Sequence, residues 1–230
     1  MYDKKIKLCW QQIPSPLVSE ILADQYDGVV LDTEHGAFNE ETIFTCIQVI
    51  KLKSKKCLVR LTSIEKTKIR YVLDAGADGI IFSTVETKQQ CEKIIEYSCY
   101  PPVGKRGLGL VRQNGWGTNK LVTEDPILVP QIETKQAIDN LKAISSFNFD
   151  FYMIGPYDLS MSLGCIGDFK DEKFALNVSR FNDTISVEKR AIHIPDDVKN
   201  KIVGYEEYGL LCLGMDTIAL IEYHKEIRGD

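Results

Sequence analysis

Short apolar runs alternate with amphipathic stretches along the whole chain. The runs fall at residues 5–10, 28–32, 57–61, 79–82, 127–131, 149–154, 190–194 and 210–213. Most are continuously apolar rather than alternating, which is how a strand covered on both faces reads. Between them, helical patterning spans 15–25, 39–51, 64–75, 87–97, 134–146, 159–163 with a later helix ahead of Ser186, 196–208 and 216–227. Ser15, Asn39, Thr87 and Thr134 stand where helix N-caps belong. Gly76, Gly79 and Gly209 close a helix or open the next strand. Strands that alternate with helices must run parallel. Eight such units in 230 residues predict a single-domain (β/α)8 TIM barrel of the α/β class, with a doubly wound open sheet as the competing architecture. The one long irregular stretch, 100–126, is rich in Gly and Pro, and loops of that length are often functional.

In a parallel barrel the chemistry collects at the C-terminal ends of the strands. Polar residues cluster at those predicted ends. Trp10 ends the first strand; Asp32-Thr33-Glu34-His35-Gly36 follows the second; Arg60 closes the third; Gln131-Ile132-Glu133 follows the fifth; Gly155-Pro156-Tyr157-Asp158 follows the sixth. Each has an ordinary alternative. Glu133 and Asp158 suit a helix start, where acidic residues are common. Arg60 reads as a surface residue at a strand end, and His35 as a loop imidazole. Coincidence at several barrel ends together is the weaker explanation. Glu133 and Asp158 offer two hard oxygen ligands, too few for a closed cage and suited to an open Mg²⁺ or Mn²⁺ site that keeps waters. A 2-oxo acid would chelate such an ion, Arg60 would donate to its keto oxygen, and His35 is the natural general base. Amides at the start of the helix after Gly155 favour a carboxylate. His193 and His224 lack such company, and no lysine at a strand end suggests a Schiff base.

Composition narrows the reading further. A formal net charge of −5, without a basic run, argues against nucleic acid. No apolar run has the length of a membrane span and the first ten residues lack a signal-peptide core, so a cytoplasmic protein is expected. The seven cysteines are scattered without a C-x-x-C pair, which suits reduced thiols, with Cys9, Cys57 and Cys212 in the core.

The motifs Leu31-Asp32-Thr33-Glu34-His35, Val59-Arg60, Leu73-Asp74-Ala75-Gly76, Tyr100-Pro101-Pro102-Val103-Gly104-Lys105-Arg106-Gly107, Gln131-Ile132-Glu133, Ile154-Gly155-Pro156-Tyr157-Asp158-Leu159-Ser160 and Gly214-Met215-Asp216-Thr217 span nearly the whole chain. In kind and order they resemble the HpcH/HpaI aldolase family of metal-dependent pyruvate aldolases. The resemblance implies a class II aldolase that cleaves or forms the C–C bond of a 4-hydroxy-2-oxo acid. It implies Mg²⁺, Mn²⁺ or Co²⁺ on Glu133 and Asp158, Arg60 beside the keto oxygen, and His35 as base paired with Asp74. Amides at Tyr157 and Asp158 would take the carboxylate, with Trp10, Gln131 and Gly155 lining the pocket. It further implies trimers or hexamers in which the last helix, within 216–230, is exchanged between subunits. Departures are Leu61-Thr62 after Arg60 and Ser83, where the family has prolines, a shortened loop between Trp116-Gly117 and Ile127, and His193 in place of a small residue. Several lie near where the aldehyde half would bind. An acyl-CoA lyase of the citrate lyase β or malyl-CoA lyase type, and a non-catalytic anion-binding barrel, are the rival readings.

Overall fold

The computed structural model describes residues 5–118 and 124–229. The shortened loop expected before Ile127 therefore falls partly outside the described residues. Eight strands, β1 (Ile6–Gln11), β2 (Gly28–Asp32), β3 (Lys56–Leu61), β4 (Gly79–Phe82), β5 (Ile127–Ile132), β6 (Tyr152–Ile154), β7 (Arg190–Ile194) and β8 (Leu210–Met215), pair in parallel in sequence order. β8 returns to β1, with Ile6 opposite Leu210, and closes the barrel. Around it run α1 (Pro16–Gln25), α2 (Glu40–Leu52), α3 (Lys66–Asp74), α4 (Lys88–Ser98), α5 (Lys135–Asp139), α6 (Leu141–Ser145), α7 (Pro156–Ser162), α8 (Glu172–Thr184), α9 (Val198–Lys201) and α10 (Asp216–Arg228). The (β/α)8 barrel expected from the sequence is the fold, and the open sheet is excluded by closure.

Alternation along each strand sorts side chains into two cores. Leu8 and Trp10 of β1, Val30 of β2, Leu58 of β3, Ile81 of β4, Val129 of β5, Met153 of β6, Ala191 of β7 and Cys212 of β8 fill the barrel. Their neighbours Val29, Leu31, Val59, Ile80, Phe82, Leu128 and Leu211 face outward to the helices. Carried one step further toward the C-terminal ends, the inward set reads Asp32, Arg60, Ser83, Gln131, Gly155 and His193. The barrel is therefore apolar at its waist and polar at one end, because the inward periodicity changes chemistry there. Strand starts are crowded instead: a Cβ at Gly28 would lie 2.1 Å from the Lys56 carbonyl oxygen, and one at Gly79 would lie 2.3 Å from that of Ile127.

Several boundaries differ from expectation for local reasons. Asn39, Thr87 and Thr134 cap their helices by accepting backbone N–H bonds, whereas Ser15 makes no side-chain cap and leaves Pro16 to set the first turn of α1. The helix expected over 134–146 breaks at Asn140, whose Nδ2 donates to the Glu86 carbonyl. That expected over 196–208 shrinks to α9, behind Asp197 at φ 42°. α7 begins at Pro156, so Asp158 sits inside its first turn. α10 is anchored at its start: Asp216 is buried and accepts from Gln12 N and Ile13 N, each at 2.9 Å. Beyond that residue the helix is largely exposed.

Candidate active site

The polar end of the barrel holds a pocket of about 330 Å³ lined by Trp10, His35, Arg60, Gln131, Gly155 and Asp158 among others. Six of the residues expected from the sequence thus share one cavity, and Tyr157 joins them on the rim. Glu133 lies just behind the lining, 3% exposed. A Cβ at position 155 would stand 2.7 Å from Glu133 Oε2, so only glycine leaves this carboxylate its place beside the pocket.

Glu133 is half satisfied. Oε1 accepts from Thr84 N at 2.7 Å and from Thr84 Oγ1 at 2.8 Å, while the buried Oε2 has no partner. Thr84 donates both bonds from a left-handed backbone at φ 52°, a conformation that non-glycine residues hold mainly where the surroundings impose it. Burial raises the Glu133 pKa, the Thr84 hydroxyl opposes it, and the charges of Asp158 and Glu34 raise it further, to about 7. Asp158 is exposed on the first turn of α7. Among the described residues no three His, Cys, Asp or Glu side chains gather as a metal cage. The donor set is therefore a carboxylate pair, with an unpartnered buried oxygen and a local excess of negative charge. Such a pair fits a divalent cation that completes its shell with water and substrate oxygens.

Arg60 is held in a fork. Nε and Nη2 donate to Asp32 at 2.9 and 2.7 Å, and Nη1 meets Glu34 Oε2 at 2.7 Å. A guanidinium has five N–H groups. One on Nη1 and one on Nη2 remain beyond these three contacts, on a side chain that lines the pocket. Asp32 is fully buried and also accepts from Trp10 Nε1 at 3.1 Å and Gln12 Nε2 at 3.0 Å. Burial alone would raise its pKa, but Arg60, Gln12 and Trp10 together bring it down to about 2. Ser83 Oγ donates to Glu34 at 2.7 Å and steadies the other side of the fork. The Trp10 ring lies under the guanidinium at 4.8 Å and against His193, stacked at 4.2 Å and 12°. His193 donates from Nε2 to the Gly214 carbonyl at 3.4 Å, and burial lowers its pKa to about 4, so it is a neutral imidazole.

His35 is exposed at the rim, its backbone N–H fixed to Asp32 Oδ1 at 3.3 Å. Asp74 is not brought to it. α3 runs antiparallel to the strands, and Asp74, its last residue, lies at the opposite end of the barrel near the start of β4. There it pairs with buried Arg106 at 2.7 Å. The expected His35–Asp74 pair is absent within one chain because the helix that carries the aspartate leads away from the pocket. Asp32, Glu34 and Thr84, which position Arg60 and Glu133, carry no site role in the sequence reading, whereas His193, expected to line the mouth, does line the pocket, two residues after the inward Ala191.

A family model described as HpcH/HpaI aldolase/citrate lyase matches residues 8–192. The chain belongs to this family. A 4-hydroxy-2-oxovalerate aldolase of Novosphingobium aromaticivorans is 33% identical over 165 residues, 69% of this chain and 63% of that protein. A 2-keto-3-deoxy-L-rhamnonate aldolase of Salmonella gallinarum is 34% identical over 170 residues, 70% of this chain and 63% of that one. The HpcH/HpaI chain thus spans less than two thirds of the length of these relatives. Its fold matches an HpcH/HpaI aldolase/citrate lyase family protein of Burkholderia cenocepacia with a TM-score of 0.87 at 22% identity, over 99% of this chain and 94% of that one. A structure titled citrate synthase matches with a TM-score of 0.83 at 25% identity, over 98% of this chain and 92% of that one.

Proposed function

We propose that this HpcH/HpaI family member is a divalent-metal pyruvate aldolase, a C–C lyase acting on a 4-hydroxy-2-oxo acid. The observation that carries the reading is the pair Glu133 and Asp158, with an unpartnered buried oxygen beside a cavity that Arg60 and His35 also line. Glu133 and Asp158 would hold Mg²⁺, Mn²⁺ or Co²⁺, which when bound supplies Lewis acidity toward a keto group. The protein's own groups do the rest. Amides of the first turn of α7, which lack helical partners, receive the carboxylate beside Tyr157. Gly155 lets the substrate approach, and Gln131 and Trp10 form the wall. The two remaining N–H groups of Arg60 donate to the keto oxygen and retain its charge as the enolate develops. His35 takes the proton of the 4-hydroxyl, the C3–C4 bond breaks, and an aldehyde leaves. Protonation of the enolate at C3 gives pyruvate, and the reverse sequence forms the bond.

Exchange of the pyruvate methyl protons in D₂O tests this directly. An aldolase exchanges them with Mn²⁺ and stops with chelator; no exchange in either condition would point to an anion-binding barrel. The likeness to a citrate synthase structure keeps an acyl-CoA substrate as the second reading. CoA competing with pyruvate release would favour it. A homo-trimer or homo-hexamer is proposed on α10, where Leu220, Ile221, Tyr223 and Ile227 are each more than half exposed. Exchange of this helix between subunits would cover them.

A further inference from the structure

We infer that the site takes aldehydes with an apolar tail, housed in a second cavity that opens off the candidate pocket beside β7; this rests on the aldolase reading. The second cavity measures about 280 Å³. Pro156, Tyr157, His193, Pro195 and Asp196 line both spaces, so the second cavity lies directly beside the first, within reach of a chain that extends from it. Its walls are aromatic. Tyr157 meets Phe169 edge-on at 5.2 Å, and Phe169 meets Phe174 at 5.2 Å. Phe169 is 40% exposed, apolar surface that a bound ligand would cover.

The charges on this cavity decide between classes of aldehyde. Its lining cation, Lys201, is committed to Asp196 at 2.6 Å. Among the described residues that line it, no uncompensated cation stands there for the distal carboxylate of a semialdehyde acid. The hydroxyls of a sugar-derived aldehyde would meet mostly phenyl and aliphatic surface, and buried hydroxyls without partners are costly. His193 is neutral and held flat against Trp10, so the shared wall adds no charge. An apolar cavity of about 150 Å³ admits benzene. The space here has room for a phenyl ring or a six-carbon chain. In the bond-forming direction the pyruvate C3 carbanion equivalent attacks the aldehyde carbon. The carbonyl π pair moves to oxygen, and the proton returned there by His35 balances the one lost from the methyl group.

The test is a chain-length series with the full protein, Mn²⁺ and pyruvate. Each methylene that enters an apolar site is worth about fourfold in binding, so hexanal should exceed propanal in kcat/KM by at least about tenfold, mostly through KM. Glyceraldehyde and succinic semialdehyde should trail hexanal. Phe169→Asp, in the loop between α7 and α8, should bring the hexanal-to-propanal ratio of kcat/KM down to near one. Pyruvate proton exchange without aldehyde should be detectable in both proteins, which shows that the variant is folded. A flat series, or a preference for either polar aldehyde while exchange is intact, overturns the inference alone. A full hexanal advantage in the variant overturns its assignment to this cavity. Absence of exchange in the unmodified protein removes the aldolase reading and the inference with it.

Discussion

Replacing Glu133 by Gln should stabilise the metal-free protein above neutral pH and abolish its response to metal. The magnitude follows from the site. A rise of the Glu133 pKa from its ordinary 4.5 to about 7 corresponds to roughly 3 kcal/mol of cost for the ionised form in the folded chain. In the unfolded chain the carboxyl ionises near 4.5. Between pH 4.5 and about 7 the folded protein holds a proton that the unfolded one has lost. Folding stability is therefore fully present below the lower value and declines as pH rises through the upper one. Glutamine keeps an oxygen for Thr84 and carries no charge, so the decline should vanish. For a chain of this size the difference amounts to a melting temperature on the order of 6–12 °C higher for the variant at pH 8 in chelator, and little difference at pH 4.5. Mn²⁺ at about 100 times its dissociation constant should return roughly 2.7 kcal/mol to the unmodified protein, and nothing comparable to the variant. Differential scanning fluorimetry across pH, with chelator and with Mn²⁺, makes the measurement. A variant no more stable than the parent at pH 8, or an equal gain from Mn²⁺ in both, would refute the reasoning.

Other outcomes follow from the same contacts. Arg60→Ala should lower turnover by roughly 10²–10³ through the lost oxyanion donor, and cost about 3–5 kcal/mol because buried Asp32 loses its charge partner; unchanged kcat with Mn²⁺ would reassign Arg60. Asp32, held near pKa 2 against an ordinary 3.8, should contribute about 2 kcal/mol above pH 4 that is lost as pH falls through 2. The Asp32→Asn protein should lack this acid limb in denaturant titrations at pH 2–5. His35→Ala should reduce cleavage by about 10²–10⁴ and leave Mn²⁺-induced stabilisation intact; loss of both would make the histidine a ligand rather than a base. Leu220→Glu combined with Ile221→Glu should reduce the particle size in light scattering, and an unchanged size would exclude α10 as a subunit contact.

The eight-stranded order was readable because parallel strands buried on both faces leave continuous apolar runs, and β2, β4 and β7 begin and end where those runs do. The runs failed where side chains hold non-helical backbone. Asn140 breaks a helix by bonding across to Glu86, and the 149–151 segment stays outside β6 with Phe149 N bonded to the Tyr152 hydroxyl. The carboxylates and the arginine were legible as polar residues at strand ends. Inward spacing carried further would also have reached Asp32, Ser83 and His193, each two residues beyond a barrel-filling Val30, Ile81 or Ala191. Thr84 left no such trace, since a left-handed backbone is a property of the folded loop. Asp74 was assigned by resemblance, and the direction of α3 shows what linear order conceals: residues adjacent in a motif scheme can occupy opposite ends of a barrel.

The clamp at the start of α10 reaches further than the helix itself. Asp216 grips the backbone after β1, Thr217 Oγ1 donates to Gln12 Oε1 at 3.1 Å, and Gln12 Nε2 donates to Asp32, the carboxylate under Arg60. Four side chains thus wire the last helix to the guanidinium. Whatever displaces that helix, a cut in the chain or a neighbour pulling on it, would loosen the support of the arginine as well as the wall that Ile218 gives the pocket.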